Sequence, residues 1–252
     1  MATLPANSIN RPIRTGMNGR QVKRIKLPDY RSNQLFVNGV ENISSESVEA
    51  YKSLRTQVLK AHVSHGICTV AVTSAAHGDG KTLTSFNLAC CCAQLRSMPV
   101  LLIDADLRTC GLSNLIGPLP AVGLADVLDD QKSFSEAILG TEIENLHVIG
   151  AGKSNISPAE LLASERWLEF ITWAREHFNL VIIDSLPVRA VADFELISAA
   201  SDGILMVVRA LQTPREGVEE ALAHIETGKL IGVVWNGAQR PPKYSSYNYS
   251  NR

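Results

Sequence analysis

The chain predicts an α/β fold: a mostly parallel central sheet with helices on both faces. Three observations carry this. Short, continuously apolar runs alternate with stretches of helical length, as strands buried on both faces require. One run leads into a glycine-rich turn that opens a helix. Two others end in aspartate.

The 252 residues suffice for one large domain, and 45% hydrophobic with 19% charged residues is an ordinary globular composition. A net charge of −1 gives no global attraction to nucleic acid or to a membrane, so no nucleic-acid partner is expected. No apolar run approaches the ~18–20 residues that cross a bilayer, and the N-terminus lacks the apolar block of a signal peptide. A cytoplasmic location follows, with any recruitment to the membrane's inner face coming through a partner. The five cysteines fit a reducing compartment. Cys90, Cys91 and Cys92 would point three ways from a helix and cannot converge on one metal, so they read as small core residues.

Residues 1–42 are polar, carry Pro5, Pro12 and Pro28, and read as a mobile N-terminal arm. Within it, Arg11, Arg14, Arg20, Lys23, Arg24, Lys26 and Arg31 face only Asp29 in charge. Such a run is either a solvated tail or a basic arm that touches anionic lipid or an acidic partner. The domain itself is placed at 43–240. Ser45 reads as an N-cap, and Val48, Tyr51, Leu54 and Val58 recur at helical spacing, predicting an amphipathic helix over 46–62. Strands follow at 67–73, 99–104, 146–150, 179–184, 203–209 and 230–235. Helices fall between them at about 81–96, 158–177, 191–200 and 214–227. Residues 241–252 form a polar, tyrosine-rich tail.

Residues 75–82 (AAHGDGKT) follow the first strand and open a helix, with the spacing of a phosphate-binding P-loop. Gly78 and Gly80 let backbone N–H groups curl round a phosphate, and the helix N-terminus adds partial positive charge. Lys81 has the reach for β- and γ-phosphates, and the Thr82 hydroxyl suits a Mg²⁺ position. ATP and Mg²⁺ are therefore the expected ligands. The run 101–108 (LLIDADLR) comes one βαβ return after Lys81, and 181–184 (VIID) ends another strand alike. Parallel strands deliver their carboxyl ends to one edge, so Asp104, Asp106 and Asp184 should arrive beside the loop. Three carboxylates together call for a cation.

These motifs resemble the bacterial tyrosine kinases, a branch of the MinD/ParA-like P-loop ATPases. The resemblance rests on Thr73-Ser74 and Gly78-Asp79-Gly80-Lys81-Thr82 as Walker A, on 101–108 as Walker A′, and on 181–187 (VIIDSLP) as Walker B. The segment 157–162 (SPAELL), the helix motif 49–55 (EAYKSLR) and the tail tyrosines Tyr244, Tyr247 and Tyr249 add to it. It implies an ATP-dependent tyrosine autokinase that phosphorylates this tail, commonly on a neighbouring subunit. Such kinases regulate exopolysaccharide or capsule production with a membrane-embedded co-polymerase or activator.

By the family pattern Lys81, Asp104, Asp106 and Asp184 are catalytic. Asp104 activates the acceptor hydroxyl, and Thr82, Asp104 and Asp184 surround the metal. Ala76, His77, Gly78, Asp79, Gly80, Lys81, Thr82, Leu83 and Arg108 line the nucleotide, with Asn236 near the adenine. A homo-oligomer is implied through the helix at 46–62. There Glu49 and Arg55, six residues apart, do not pair with each other and are free to meet a neighbour. The chain departs from the family at His77, Leu186 and Lys52, and Lys52 cannot reproduce an arginine's bidentate fork. Two rival readings stand beside this one. A partitioning ATPase carries an extra lysine early in the loop, where this chain has Ala76. A non-catalytic ATP-binding regulator of polysaccharide assembly would need the same loop without the transfer.

Overall fold

The computed structural model describes residues 22–27, 45–189 and 191–238. Seven strands form one sheet: β1 (Thr69–Ser74), β2 (Val100–Asp104), β3 (Leu139–Gly140), β4 (Leu146–Ile149), β5 (Leu180–Asp184), β6 (Gly203–Arg209) and β7 (Leu230–Asn236). Their order is β3-β4-β2-β5-β1-β6-β7, and every pairing is parallel except the short β3 against β4. Strands β1, β2 and β5 are buried along their whole length, which is why they read as unbroken apolar runs.

Helices cover both faces. On one face α1 (Ser45–His65) and α2 (Lys81–Ala93) enclose a core of Val58, Phe86, Leu88, Val72, Leu102 and Ile182, which Cys90 and Cys92 join. On the other, α6 (Glu165–His177), α7 (Val191–Ala199) and α8 (Arg215–Ala223) enclose Trp167, Phe170, Phe194, Ile183 and Met206. Each fully buried aromatic or branched side chain contributes about 1.5–3 kcal/mol of transfer free energy.

The expected helix over 158–177 is two helices, α5 (Pro158–Ala163) and α6, split at Ser164. Ser164 sits at φ −72° and ψ 152°, an extended geometry, and its hydroxyl donates to the Leu161 carbonyl at 2.6 Å. Ser164 starts α6 by position without a side-chain cap: its hydroxyl turns back to close α5, its extended backbone breaks the helix, and Glu165 favours the first turn of α6. Two short helices, α3 (Gly111–Ile116) and α4 (Leu124–Leu128), lie where no element was predicted.

Two sets of contacts were not visible in the sequence. Within the stretch read as a mobile arm, residues 22–27 are docked on the sheet. Ile25 N–H donates to the Gly140 carbonyl, Gly140 N–H donates to the Lys23 carbonyl, both at 2.9 Å, and Leu27 is buried in the core. The hydrogen-bonding edge of β3 supplies these partners, and burial of Leu27 offsets the ordering cost. The rest of that arm lies outside the described residues. On α1, Glu49 and Arg55 do not pair with each other, and each has a contact within its own chain while Glu49 stays exposed. Lys52 Nζ meets Glu49 at 2.6 Å, and Arg55 Nη1 donates to the Cys91 carbonyl of α2 at 3.0 Å. The arginine satisfies a helix carbonyl in its own chain, a partner invisible at helical spacing.

Candidate active site

The phosphate loop runs between β1 and α2, and its shape comes from two glycines. Gly78 (φ +87°) and Gly80 (φ +93°) occupy the left-handed region. A Cβ at residue 80 would also collide with the side-chain amide of Asn236, which donates to the Asp79 carbonyl at 2.7 Å. Asn236, at the end of β7, is thereby seated on the loop. Asp79 is 2% exposed and held on both oxygens: Oδ2 accepts Ala76 N–H at 2.9 Å, and Oδ1 accepts the Thr213 hydroxyl at 2.6 Å. His77 and Gly78 are exposed, while Thr82 and Leu83 are half-buried in the first turn of α2.

The three predicted aspartates do converge there. β2 and β5 lie side by side in register, with Asp104 opposite Asp184. Lys81 Nζ reaches Asp106 Oδ2 at 3.1 Å, which ties the loop to the segment after β2. Asp104 Oδ2 accepts Leu112 N–H at 3.0 Å, and Asp184 Oδ1 accepts the Ser85 hydroxyl at 3.2 Å. The remaining oxygens, Asp104 Oδ1 and Asp184 Oδ2, are buried with no hydrogen-bond partner.

Those two orphans are costly unless a cation meets them. Burial, with repulsion from Asp184, pushes the Asp104 carboxyl up to about 8. Burial likewise raises Asp184 to about 6, the Lys81 charge opposing it. Asp106 moves the other way: burial would raise it, but the Lys81 ammonium and Thr109 outweigh that and hold it below the usual range. Among the described residues no three His, Cys, Asp or Glu side chains cluster as a self-sufficient metal cage. Mg²⁺ keeps waters and substrate phosphates as ligands and asks for only one or two carboxylates, which the partnerless oxygens of Asp104 and Asp184 could supply. A Cβ at Gly111 would come 2.9 Å from Thr82 Oγ1 and 3.7 Å from Asp184 Oδ2, so glycine there preserves the space beside both.

Arg108 is turned to α7, where Nε and Nη2 meet Asp193 Oδ2 at 2.9 and 2.8 Å. Sequence reasoning missed Ser85, Gly111 and Thr213. Ser85 could have been found, one helical turn after Lys81, its single hydroxyl proton shared between Asp184 and the Lys81 carbonyl 2.9 Å away. Thr213 carries no local signal, being 134 residues from its partner. Tyr244, Tyr247 and Tyr249 lie outside the described residues.

With this geometry in place, the similarities to known proteins are specific. An AAA-domain family model matches residues 67–230. The chain is 34% identical over 203 residues to tyrosine-protein kinase YwqD of Bacillus subtilis, spanning 80% of this chain and 85% of that relative. It is 32% identical to tyrosine-protein kinase wzc of Salmonella typhimurium, covering 90% of this chain but only 32% of that longer protein. The kinase domain of Escherichia coli tyrosine kinase ETK superposes with a TM-score of 0.72 at 28% identity, over 92% of this chain and 96% of that one.

Proposed function

The chain belongs to the bacterial tyrosine-protein kinases, within the P-loop AAA-domain proteins, and from that premise we propose that it transfers the γ-phosphoryl group of ATP to tyrosines of its own tail. The observation that carries this reading is the buried, half-unsatisfied Asp104 beside Lys81, Asp106 and Asp184 at one sheet edge.

The roles follow from chemistry. The loop amides and Lys81 hold the β- and γ-phosphates, Lys81 exchanging its Asp106 partner for phosphate oxygens. Asn236, seated on the loop, borders the adenine. Thr82 and Asp184 would hold Mg²⁺, which when bound neutralises charge on the transferring group. Asp104 has one oxygen tied to Leu112 and one left for the acceptor. It takes the phenolic proton of tyrosine as the new O–P bond forms and the bond to the ADP leaving oxygen breaks. Burial and Asp184 raise that carboxyl to about 8 in the nucleotide-free protein, so it carries a proton at neutral pH and must release it, as the charge of a bound cation would favour, before it serves as the base.

Tyr244, Tyr247 and Tyr249 are the proposed acceptors, modified mainly between subunits of a homo-oligomer. Each phosphate adds about −1.5 to −2 charge to a tail that holds no acid. Regulation of exopolysaccharide or capsule synthesis with a membrane-embedded activator follows from the family resemblance. So does a cytoplasmic position at the inner face of the membrane. Among the described residues no helix is long and apolar enough to cross a membrane. The test mixes a tail-intact Lys81→Met protein with an active protein whose three tail tyrosines are Phe. Phosphate on the inactive partner's tail, read by mass spectrometry, is the expected result; a bare tail would refute transfer between subunits.

A further inference from the structure

Asp79 lies between the two left-handed glycines of the phosphate loop, and four hydrogen bonds bear on its immediate surroundings. Its carboxylate accepts Ala76 N–H at 2.9 Å and the Thr213 hydroxyl at 2.6 Å. Its carbonyl accepts the Asn236 amide at 2.7 Å. Thr213 Oγ1 in turn accepts Arg209 N–H at 3.0 Å, which leaves the hydroxyl proton directed at Asp79. The 2.6 Å separation is that of a charge-assisted O–H···O⁻ bond. Thr213 is itself fixed: it closes the turn after β6 by donating its N–H to the Arg209 carbonyl at 3.1 Å, and it precedes Pro214 at the start of α8.

From this we infer that Thr213 is a positioning residue for the nucleotide: through the Asp79 carboxylate it holds the phosphate loop in its anion-cradling shape. The inference rests on the reading of that loop as the ATP site. Asp79 is 2% exposed, so its charge has little water to fall back on. With Thr213 and Ala76 as donors, the carboxylate stays behind the loop and its backbone amides stay turned to the ligand side. Without Thr213, one carboxylate oxygen loses its donor. The side chain is then driven towards solvent at the loop mouth, where it repels a polyphosphate.

The competing role for Thr213 is a local one, closing its own turn between β6 and α8. That role would change stability and leave nucleotide affinity alone. Titration with a fluorescent ATP analogue and Mg²⁺ separates the two, on the parent, Thr213→Val, Thr213→Ser, Asp79→Asn and the Thr213→Val/Asp79→Asn pair. Thr213→Val, nearly equal in shape, is expected to weaken binding about tenfold or more, the loss of one hydrogen bond to a charged group. Thr213→Ser keeps the hydroxyl and should stay within about twofold, by the same reasoning. In the Asp79→Asn background, adding Thr213→Val should cost little further, because the two act through one bond. Thr213→Ala replaces Val if the latter does not fold. Unchanged affinity in Thr213→Val, failure of the Ser rescue, or full additivity with Asp79→Asn would overturn the inference. A parent that binds no nucleotide would instead overturn the ATP-site reading, and the inference with it.

Discussion

Replacing Asp104 by Asn should stabilise the nucleotide-free protein while slowing its chemistry, and the stability gain should grow with pH. Asp104 is fully buried, one oxygen accepts Leu112 N–H, the other has no partner, and Asp184 stands opposite on the neighbouring strand. Its carboxyl is raised from 3.8 to about 8, by burial first and Asp184 second. A folded pKa above the unfolded one means that the folded state binds the extra proton, so stability falls as pH rises between the two values. The slope is about −1.4 kcal/mol per pH unit within that window, with a total on the order of 5 kcal/mol as an upper bound. The amide introduced by Asp104→Asn cannot ionise, and the Asp184 contribution is of the same sign in both proteins. Urea denaturation in EDTA at pH 5, 6, 7 and 8 should therefore show the variant pulling ahead of the parent, by about 1 kcal/mol or more per unit. Parallel stability curves would refute the reasoning, since they would mean that Asp104 titrates normally in the fold. Phosphoryl transfer by the same variant should drop by about 10²–10⁴-fold while nucleotide binding survives.

Lys81→Met should remove ATP binding or turnover with the fold intact, checked by nucleotide titration beside circular dichroism; undiminished phosphorylation would contradict its role. Gly80→Ala meets both the φ of +93° and the Asn236 amide. It should weaken nucleotide affinity about tenfold, given about 1–2 kcal/mol for the left-handed geometry alone, and adding Asn236→Ala should recover part of the loss. Leu27→Ala should destabilise the protein by about 2–5 kcal/mol as other buried leucines do. A loss under about 0.5 kcal/mol in urea denaturation, the range of an ordinary surface substitution, would mean that residues 22–27 do not hold the sheet edge in solution.

The sheet was legible because β1, β2, β5 and β6 are buried almost throughout and so appear as uninterrupted apolar runs. The phosphate loop was legible because glycine, lysine and threonine do local work at fixed spacing. The aspartates were legible from topology, as strand ends that parallel pairing brings to one edge. What escaped lacks period or locality. α3 and α4 are six and five residues long, and β3 is two, too short to show a repeat. Ser164 broke an apolar period that continued straight through it. The partners of Arg55 and Asp79 are 36 and 134 residues away, set by packing between elements and not by neighbours in the chain.

The central claim is transfer of phosphate from ATP to tyrosine, and the most direct measurement follows the label itself. The purified chain is incubated with Mg²⁺ and γ-labelled ATP, alone and with the cytoplasmic segment of the proposed membrane activator. Label is then divided between inorganic phosphate and phosphotyrosine. The expected result is label in phosphotyrosine on Tyr244, Tyr247 and Tyr249, lost in Lys81→Met and in Asp104→Asn. Label released only as inorganic phosphate, under conditions where the chain binds ATP, would make it a nucleotide hydrolase of the same fold and contradict the claim.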